Sequence, residues 1–148
     1  MDDKKNWTFE EVEELYKKFN PSALDGGGKV VMVAEDSAPM RSIIARALER
    51  SGFSVLEAPN GLQALKMIRD SSPDCCILDI NMPQISGLEI LEAMRNDERY
   101  ASIPVIICTA MKDKRSILVA QKLGAAAYIL KPFQMPDLLA KISEVLKL

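Results

Sequence analysis

The stretch Lys29-Val30-Val31-Met32-Val33-Ala34-Glu35-Asp36 decides the fold. Val30 to Val33 are apolar on consecutive positions, with no polar alternation. That pattern predicts a strand covered on both faces, as in a parallel sheet. The run then stops on two acids. The same form recurs along the chain. Asp74–Asp79, Ile103–Cys108 and Ala126–Leu130 carry similar continuous runs, which again predict strands covered on both faces. Phe53–Ala58 is more polar and suits a sheet edge.

Helical spacing fills the intervals. Met40, Ile43, Ile44, Ala47 and Leu48 recur at i, i+3, i+4, i+7 and i+8; Ala64, Leu65 and Ile68 do likewise. So do Gly87, Ile90, Leu91 and Met94, and then Leu138, Ile142 and Val145. Gly52 and Gly124 mark C-terminal stops, and Pro39 and Pro136 fall near helix starts. Five βα units in succession predict an α/β protein with a parallel, doubly wound sheet.

Ligands of such a sheet bind beyond the carboxyl ends of its strands. There the sequence places Glu35-Asp36, Asp79, Thr109-Ala110 and Lys131-Pro132. Three carboxylates crowded together stay charged only if something neutralises them. A hard divalent cation such as Mg²⁺ does so, and leaves room for a phosphate oxygen. Lys131 adds positive charge and Thr109 a hydroxyl. The set suits phosphoryl transfer, with a carboxylate as nucleophile and an aspartyl phosphate as product.

Composition narrows the chemistry. The chain has 148 residues and no histidine, which excludes histidine-based acid–base catalysis, metal ligation and phosphohistidine formation on this chain. Its 21 acids and 19 bases leave a net charge of −2, with no general attraction to nucleic acid or to an anionic membrane. No apolar run reaches the ~20 residues of a membrane span, and Met1-Asp2-Asp3-Lys4-Lys5 leads into no secretory signal. Cys75, Cys76 and Cys108 lack metal spacing, and we read them as reduced core residues of a cytoplasmic protein.

Glu35-Asp36, Asp79-x-x-Met82-Pro83, Thr109-Ala110 and Lys131-Pro132-Phe133 together resemble the receiver domain of two-component response regulators, of the stand-alone chemotaxis type. The spacings of 43, 30 and 22 residues from Asp36 to Asp79, Thr109 and Lys131 agree with that family. The resemblance covers residues 29–148. It implies a flavodoxin-like (βα)5 sheet of order 2-1-3-4-5. It implies that Asp79 is the phosphoacceptor, and that Glu35, Asp36, Asp79 and the Asn81 carbonyl hold Mg²⁺, with Mn²⁺ as a substitute. Thr109 and Lys131 would contact the phosphoryl oxygens. Thr109 and Tyr128 would form the switch, read out on the fourth-helix, fifth-strand and fifth-helix face. A cis Lys131–Pro132 peptide would aim the lysine into the site. Asn81 and Met111 would flank the path of a hydrolytic water. Glu35 lengthens the first acid by one methylene, and Ser86 stands where Asp is frequent and serves equally as a helix cap.

The resemblance implies a histidine kinase or histidine phosphotransfer protein as donor and a downstream protein as target. The chain is expected to be a phosphoacceptor rather than an enzyme with turnover on a separate substrate. No output domain is expected after Leu148, and no DNA-recognition helix is left over. Three rival readings follow from the same residues: a receiver-fold adaptor indifferent to phosphate, a flavodoxin-like cofactor carrier, and a carboxylate-dependent phosphatase. The acids after the first strand oppose the carrier, and no cap or second acid supports the phosphatase.

Residues 1–28 read as a separate segment, carrying −3 and ending in Asp25-Gly26-Gly27-Gly28, a flexible break. Thr8-Phe9-Glu10-Glu11 has the form of a capping box, with Trp7 and Val12 as its hydrophobic staple. Phe9, Val12, Tyr16 and Phe19 form one apolar stripe, and Glu13/Lys17 and Glu14/Lys18 are favourable pairs. A helix over 8–20 is marginal alone in water, so it is expected to dock on its own receiver, on a second copy as a homodimer, or in a partner's groove.

Overall fold

The computed structural model describes residues 8–12 and 26–148. Five strands, β1 (Val30–Ala34), β2 (Ser54–Ala58), β3 (Cys75–Leu78), β4 (Val105–Thr109) and β5 (Ala127–Leu130), form one parallel sheet of order β2-β1-β3-β4-β5. Five helices alternate with them: α1 (Ala38–Arg50), α2 (Gly61–Ser71), α3 (Gly87–Arg95), α4 (Lys114–Lys122) and α5 (Met135–Leu146). This is the expected flavodoxin-like arrangement. Among the described residues, no helix is long and apolar enough to cross a membrane.

The continuous apolar runs explain the layering, because successive strand residues point to opposite faces. Val31, Val33, Cys75, Ile77, Ile106 and Cys108 pack with Ile44 and Leu48 of α1 and Leu138 and Ile142 of α5. Met32, Cys76, Leu78, Val105 and Ile107 pack the other way, with Ile68 of α2, Ile90, Leu91 and Met94 of α3, and Ala120 of α4. Burying each such large side chain contributes roughly 1.5–3 kcal/mol.

The expected punctuation is present. Gly52 and Gly124 follow α1 and α4 with φ of 88° and 76°, in the left-handed region that terminates a helix. Proline stands in the first turn of α1 and of α5. The Ser86 hydroxyl accepts from the Glu89 N–H while the Glu89 carboxylate accepts from the Ser86 N–H, closing a capping box on α3.

Two readings need correction. The run at Ala126–Leu130 predicts a strand covered on both faces. Instead β5 is an outer strand, its first three residues partly buried and Leu130 exposed. An apolar run reports that both faces avoid water, but burial also needs a strand on each side and helices that reach the edge. The glycine run 26–28 also departs from a free break. Gly26 is buried, its N–H donates to the Ser51 carbonyl at 2.5 Å, and the Gly28 N–H donates to Gly52 at 2.8 Å. A Cβ on Gly26 would meet the Phe53 ring at 2.7 Å, so only glycine fits there.

At the other described stretch, the Glu11 N–H donates to the Thr8 hydroxyl (3.1 Å) and the Thr8 N–H to the Glu11 carboxylate (3.0 Å). That is the expected capping box, opening a helical turn at 9–12. Trp7 with its staple, the remainder of helix 8–20 with Tyr16 and Phe19, and the pairs Glu13/Lys17 and Glu14/Lys18 lie outside the described residues.

Candidate functional site

The strand order reverses between β1 and β3, and the site opens beyond their carboxyl ends. β1 delivers Glu35 and Asp36, β3 delivers Asp79, β4 ends in Thr109, and β5 delivers Lys131. Glu35, Asp79 and Thr109 are buried, whereas Asp36 is exposed. The sheet itself sets their relative height. The Asp79 N–H donates to the Ala34 carbonyl (3.0 Å), the Glu35 N–H to Ala58 (3.1 Å) and the Lys131 N–H to Thr109 (2.9 Å). Gly87 makes room on the far side. A Cβ there would stand 2.2 Å from the Asp79 carbonyl.

The Lys131 ammonium binds two carboxylates at once, Glu35 Oε2 at 2.5 Å and Asp79 Oδ2 at 2.8 Å. The other Asp79 oxygen accepts from the Asn81 N–H at 3.1 Å. The second Glu35 oxygen accepts from the Ser37 N–H at 3.2 Å. The Thr109 hydroxyl accepts from the Met111 N–H at 3.3 Å. The Tyr128 hydroxyl donates to the Met111 carbonyl at 2.5 Å. The Lys131–Pro132 peptide is cis.

These contacts set the charges. Burial pushes the Asp79 carboxyl up, but Lys131, the Thr109 hydroxyl and the Asn81 N–H outweigh it, and Asp79 lies below its ordinary value. Glu35 lies above its ordinary value, because burial outweighs Lys131 and the neighbouring Asp79 adds to it. Burial pulls Lys131 down, but its two carboxylate partners raise it overall. Asp79 is therefore an ionised, partly desolvated carboxylate with a permanent cation beside it.

Carboxylate oxygens of Glu35, Asp36 and Asp79 lie within 4.8 Å of one another. Such an all-oxygen set fits Mg²⁺ rather than a thiophilic metal. One ammonium leaves this cluster with excess negative charge, which a divalent cation would offset.

The sequence-predicted residues Glu35, Asp36, Asp79, Thr109 and Lys131 thus come together, with Asn81 beside them through its N–H. Tyr128 stands one step away, joined through Met111. Other participants escaped the sequence reading. The Arg41 guanidinium donates to the Glu35 carbonyl at 2.8 Å and faces Glu57 at 3.5 Å, fixing β1's end from α1. Its partner is a backbone carbonyl, which has no sequence signature. Ser37 was also missed. Its hydroxyl caps α1 by accepting from the Met40 N–H, and Ser followed by Pro39 carries that signal.

The family model of the response regulator receiver domain matches residues 31–143. The chain belongs to the response regulator receiver family. It is 38% identical over 120 residues to the phosphate regulon transcriptional regulatory protein PhoB of Pseudomonas aeruginosa, covering 81% of this chain and 52% of that protein. The receiver thus spans about half the length of that relative. It is 38% identical over 119 residues to chemotaxis protein CheY1 of Helicobacter pylori, covering 78% of this chain and 95% of that one. The structure of chemotaxis protein CheY4 of Vibrio cholerae superposes with a TM-score of 0.75 at 27% identity, covering 80% and 98% of the two chains. This receiver is accordingly a two-component signalling protein.

Proposed function

We propose that this receiver accepts a phosphoryl group on Asp79 from a protein phosphohistidine, in a Mg²⁺-dependent reaction in the cytoplasm. The observation that carries the reading is the Lys131 ammonium bound at 2.8 Å to an ionised Asp79, with Glu35 and Asp36 within cation-sharing reach. Residues 29–148 act as the receiver, and residues 1–28 precede it as an appendage whose last glycines are seated on the turn between α1 and β2.

Glu35, Asp36, Asp79 and the Asn81 carbonyl would hold Mg²⁺, which supplies positive charge against the phosphoryl oxygens. An Asp79 carboxylate oxygen attacks phosphorus. The bond from phosphorus to the donor's imidazole nitrogen breaks, and its electron pair stays on that nitrogen. Lys131 then holds a phosphoryl oxygen in place of the bare carboxylate. The Thr109 hydroxyl donates to another.

The Thr109 hydroxyl accepts from the Met111 N–H while it donates toward Asp79, so moving its donation to a phosphoryl oxygen pulls on Met111. Met111 also holds the Tyr128 hydroxyl through its carbonyl. One backbone unit therefore links the phosphoryl site to Tyr128, and phosphorylation shifts a two-state equilibrium that a downstream protein reads.

Intact mass after incubation with a small acyl phosphate tests this, with and without Mg²⁺. Wild type should gain one phosphoryl group only with Mg²⁺, and Asp79→Asn none. Labelling retained in Asp79→Asn would overturn the assignment.

A further inference from the structure

Among the described residues of the receiver, the exposed large apolar side chains are Ile43, Leu62, Leu118, Leu130 and Leu148. One has a distinctive surround. Leu118 lies in mid α4, where surface neighbours stand three and four residues away. These are Lys114, Arg115, Gln121 and Lys122, all exposed. The same positions around Ile43 carry Pro39, Met40, Arg46 and Ala47, with a single base. Leu118 is thus an apolar knob, 43% exposed, inside a basic rim. Leu130 extends it. Tyr128 and Leu130 share one side of β5, and Tyr128 packs into the layer that holds α4.

The complementary surface is at the other end of the chain. Phe9 and Val12 are 91% and 50% exposed on a helical turn whose capping box is closed. Glu10 and Glu11 accompany them, and Glu13 and Glu14 follow in sequence. An apolar pair among acids matches an apolar knob among bases in both polarity and charge.

A single copy leaves Phe9 uncovered. The segment is tied down where Gly26 and Gly28 bond to Ser51 and Gly52, at the turn between α1 and β2. That is the β2 edge of the sheet, and β5 forms the opposite edge.

We propose that the N-terminal segment docks on α4 of a second copy. Phe9 and Val12 cover Leu118, and the glutamates face Lys114, Arg115 and Lys122. The exchange is reciprocal and closes a two-fold dimer. It uses the face on which Thr109 and Tyr128 report, but the experiment that tests it reads association and does not require phosphorylation.

Sedimentation velocity on the full chain, across concentration and salt, tests it together with the emission of Trp7, the only tryptophan. The expected result is a reversible dimer, weakened by salt, with a blue shift of Trp7 that tracks dimer formation. Leu118→Asp and Phe9→Ser should each weaken it about tenfold or more. Both positions are exposed, and far-ultraviolet dichroism checks that the fold is kept. Mixing Arg115→Glu/Lys122→Glu with Glu10→Lys/Glu13→Lys should restore association that the first variant alone lacks. A monomer at every concentration would overturn the proposal. So would a dimer indifferent to both Leu118→Asp and Phe9→Ser. So would a blue shift independent of concentration yet lost in Leu118→Asp, which would place the segment on its own copy.

Discussion

The two ends of the sheet each hold a partly buried cation, and they hold it differently. Lys131, at the carboxyl ends, is bound by the carboxylates of Glu35 and Asp79, with Asp36 beside them. Arg95, at the amino ends, is bound by four backbone carbonyls: Leu123 (3.1 Å), Gly124 (3.1 Å), Ala101 (3.1 Å) and Ile103 (3.0 Å). Carbonyls are neutral and fixed by the main chain. They engage all three guanidinium nitrogens, and they tie α3 to the turns that precede β4 and β5. Carboxylates are charged, in excess and free to trade partners. One end is built to stay, and the other to exchange ligands.

Removing each cation breaks this contrast most sharply. Arg95→Met should cost about 2–3 kcal/mol, since it strands carbonyls that had a charged donor. Arg95→Lys should recover only part, because an ammonium lacks the planar fork. Lys131→Met should cost less, about 1–2 kcal/mol, because the exposed Asp36 beside the pair keeps the site open to cations that can take the ammonium's place. Urea unfolding with EDTA and with Mg²⁺ separates the two. The Lys131→Met loss should shrink in Mg²⁺, and the Arg95→Met loss should not. Equal responses to Mg²⁺ would erase the distinction.

The same contrast explains what was legible in the sequence. Functional side chains at strand ends announce themselves, because an apolar run stopping on Glu35-Asp36 or Asp79 has few other meanings. The strand order came with the family resemblance, since periodicity leaves several right-handed topologies open. Arg95 was invisible. An arginine in the last turn of a helix is common, and its four partners are backbone atoms. Arg41 was hidden for the same reason. Gly26 read as flexible because three glycines usually are, whereas its seat against Phe53 depends on a turn 25 residues away. The β5 edge was missed because apolar sequence reports preference for burial and not the neighbours that provide it.

Between the two ends lies the neutral core, where the thiols give a third comparison. Burial pushes Cys75 and Cys108 up to about 12 from 9.0, and Cys76 higher still. In the unfolded chain they ionise near 9, so between pH 9 and 12 the unfolded state binds fewer protons than the native state. Stability from these thiols is therefore complete below pH 9 and falls as pH rises. The slope is about 1.4 kcal/mol per pH unit for each thiol. Urea midpoints at pH 8 and pH 10, in wild type and in Cys75→Ala/Cys108→Ala, measure it. A pH dependence unchanged in the double variant would assign the loss to other groups. Alkylation of the native protein at pH 8 should be slow at all three thiols.

The smallest effect concerns the loop that carries Asn81. Gln84 has φ of 70°, in the left-handed region that side chains with a Cβ avoid. The loop is held there by the Ile85 N–H on the Pro83 carbonyl (2.9 Å), the Gly87 N–H on Ile80 (3.1 Å) and the Asn81 N–H on Asp79. Gly61 receives it from α2, where a Cβ would clash with the Ile85 carbonyl. The neighbours thus over-determine a conformation that Gln84 alone would leave, as strain near a functional site requires. Gln84→Gly should relieve it, with a net gain of about 0.5 kcal/mol after the added freedom of the unfolded chain is counted. Urea denaturation reads the gain, and phosphoryl labelling should keep its rate because no partner of Asp79 changes. A loss of stability would show that the Gln84 side chain contributes more than its backbone costs. The site end would then be as fully optimised as the Arg95 end, and the contrast between them would rest on charge alone.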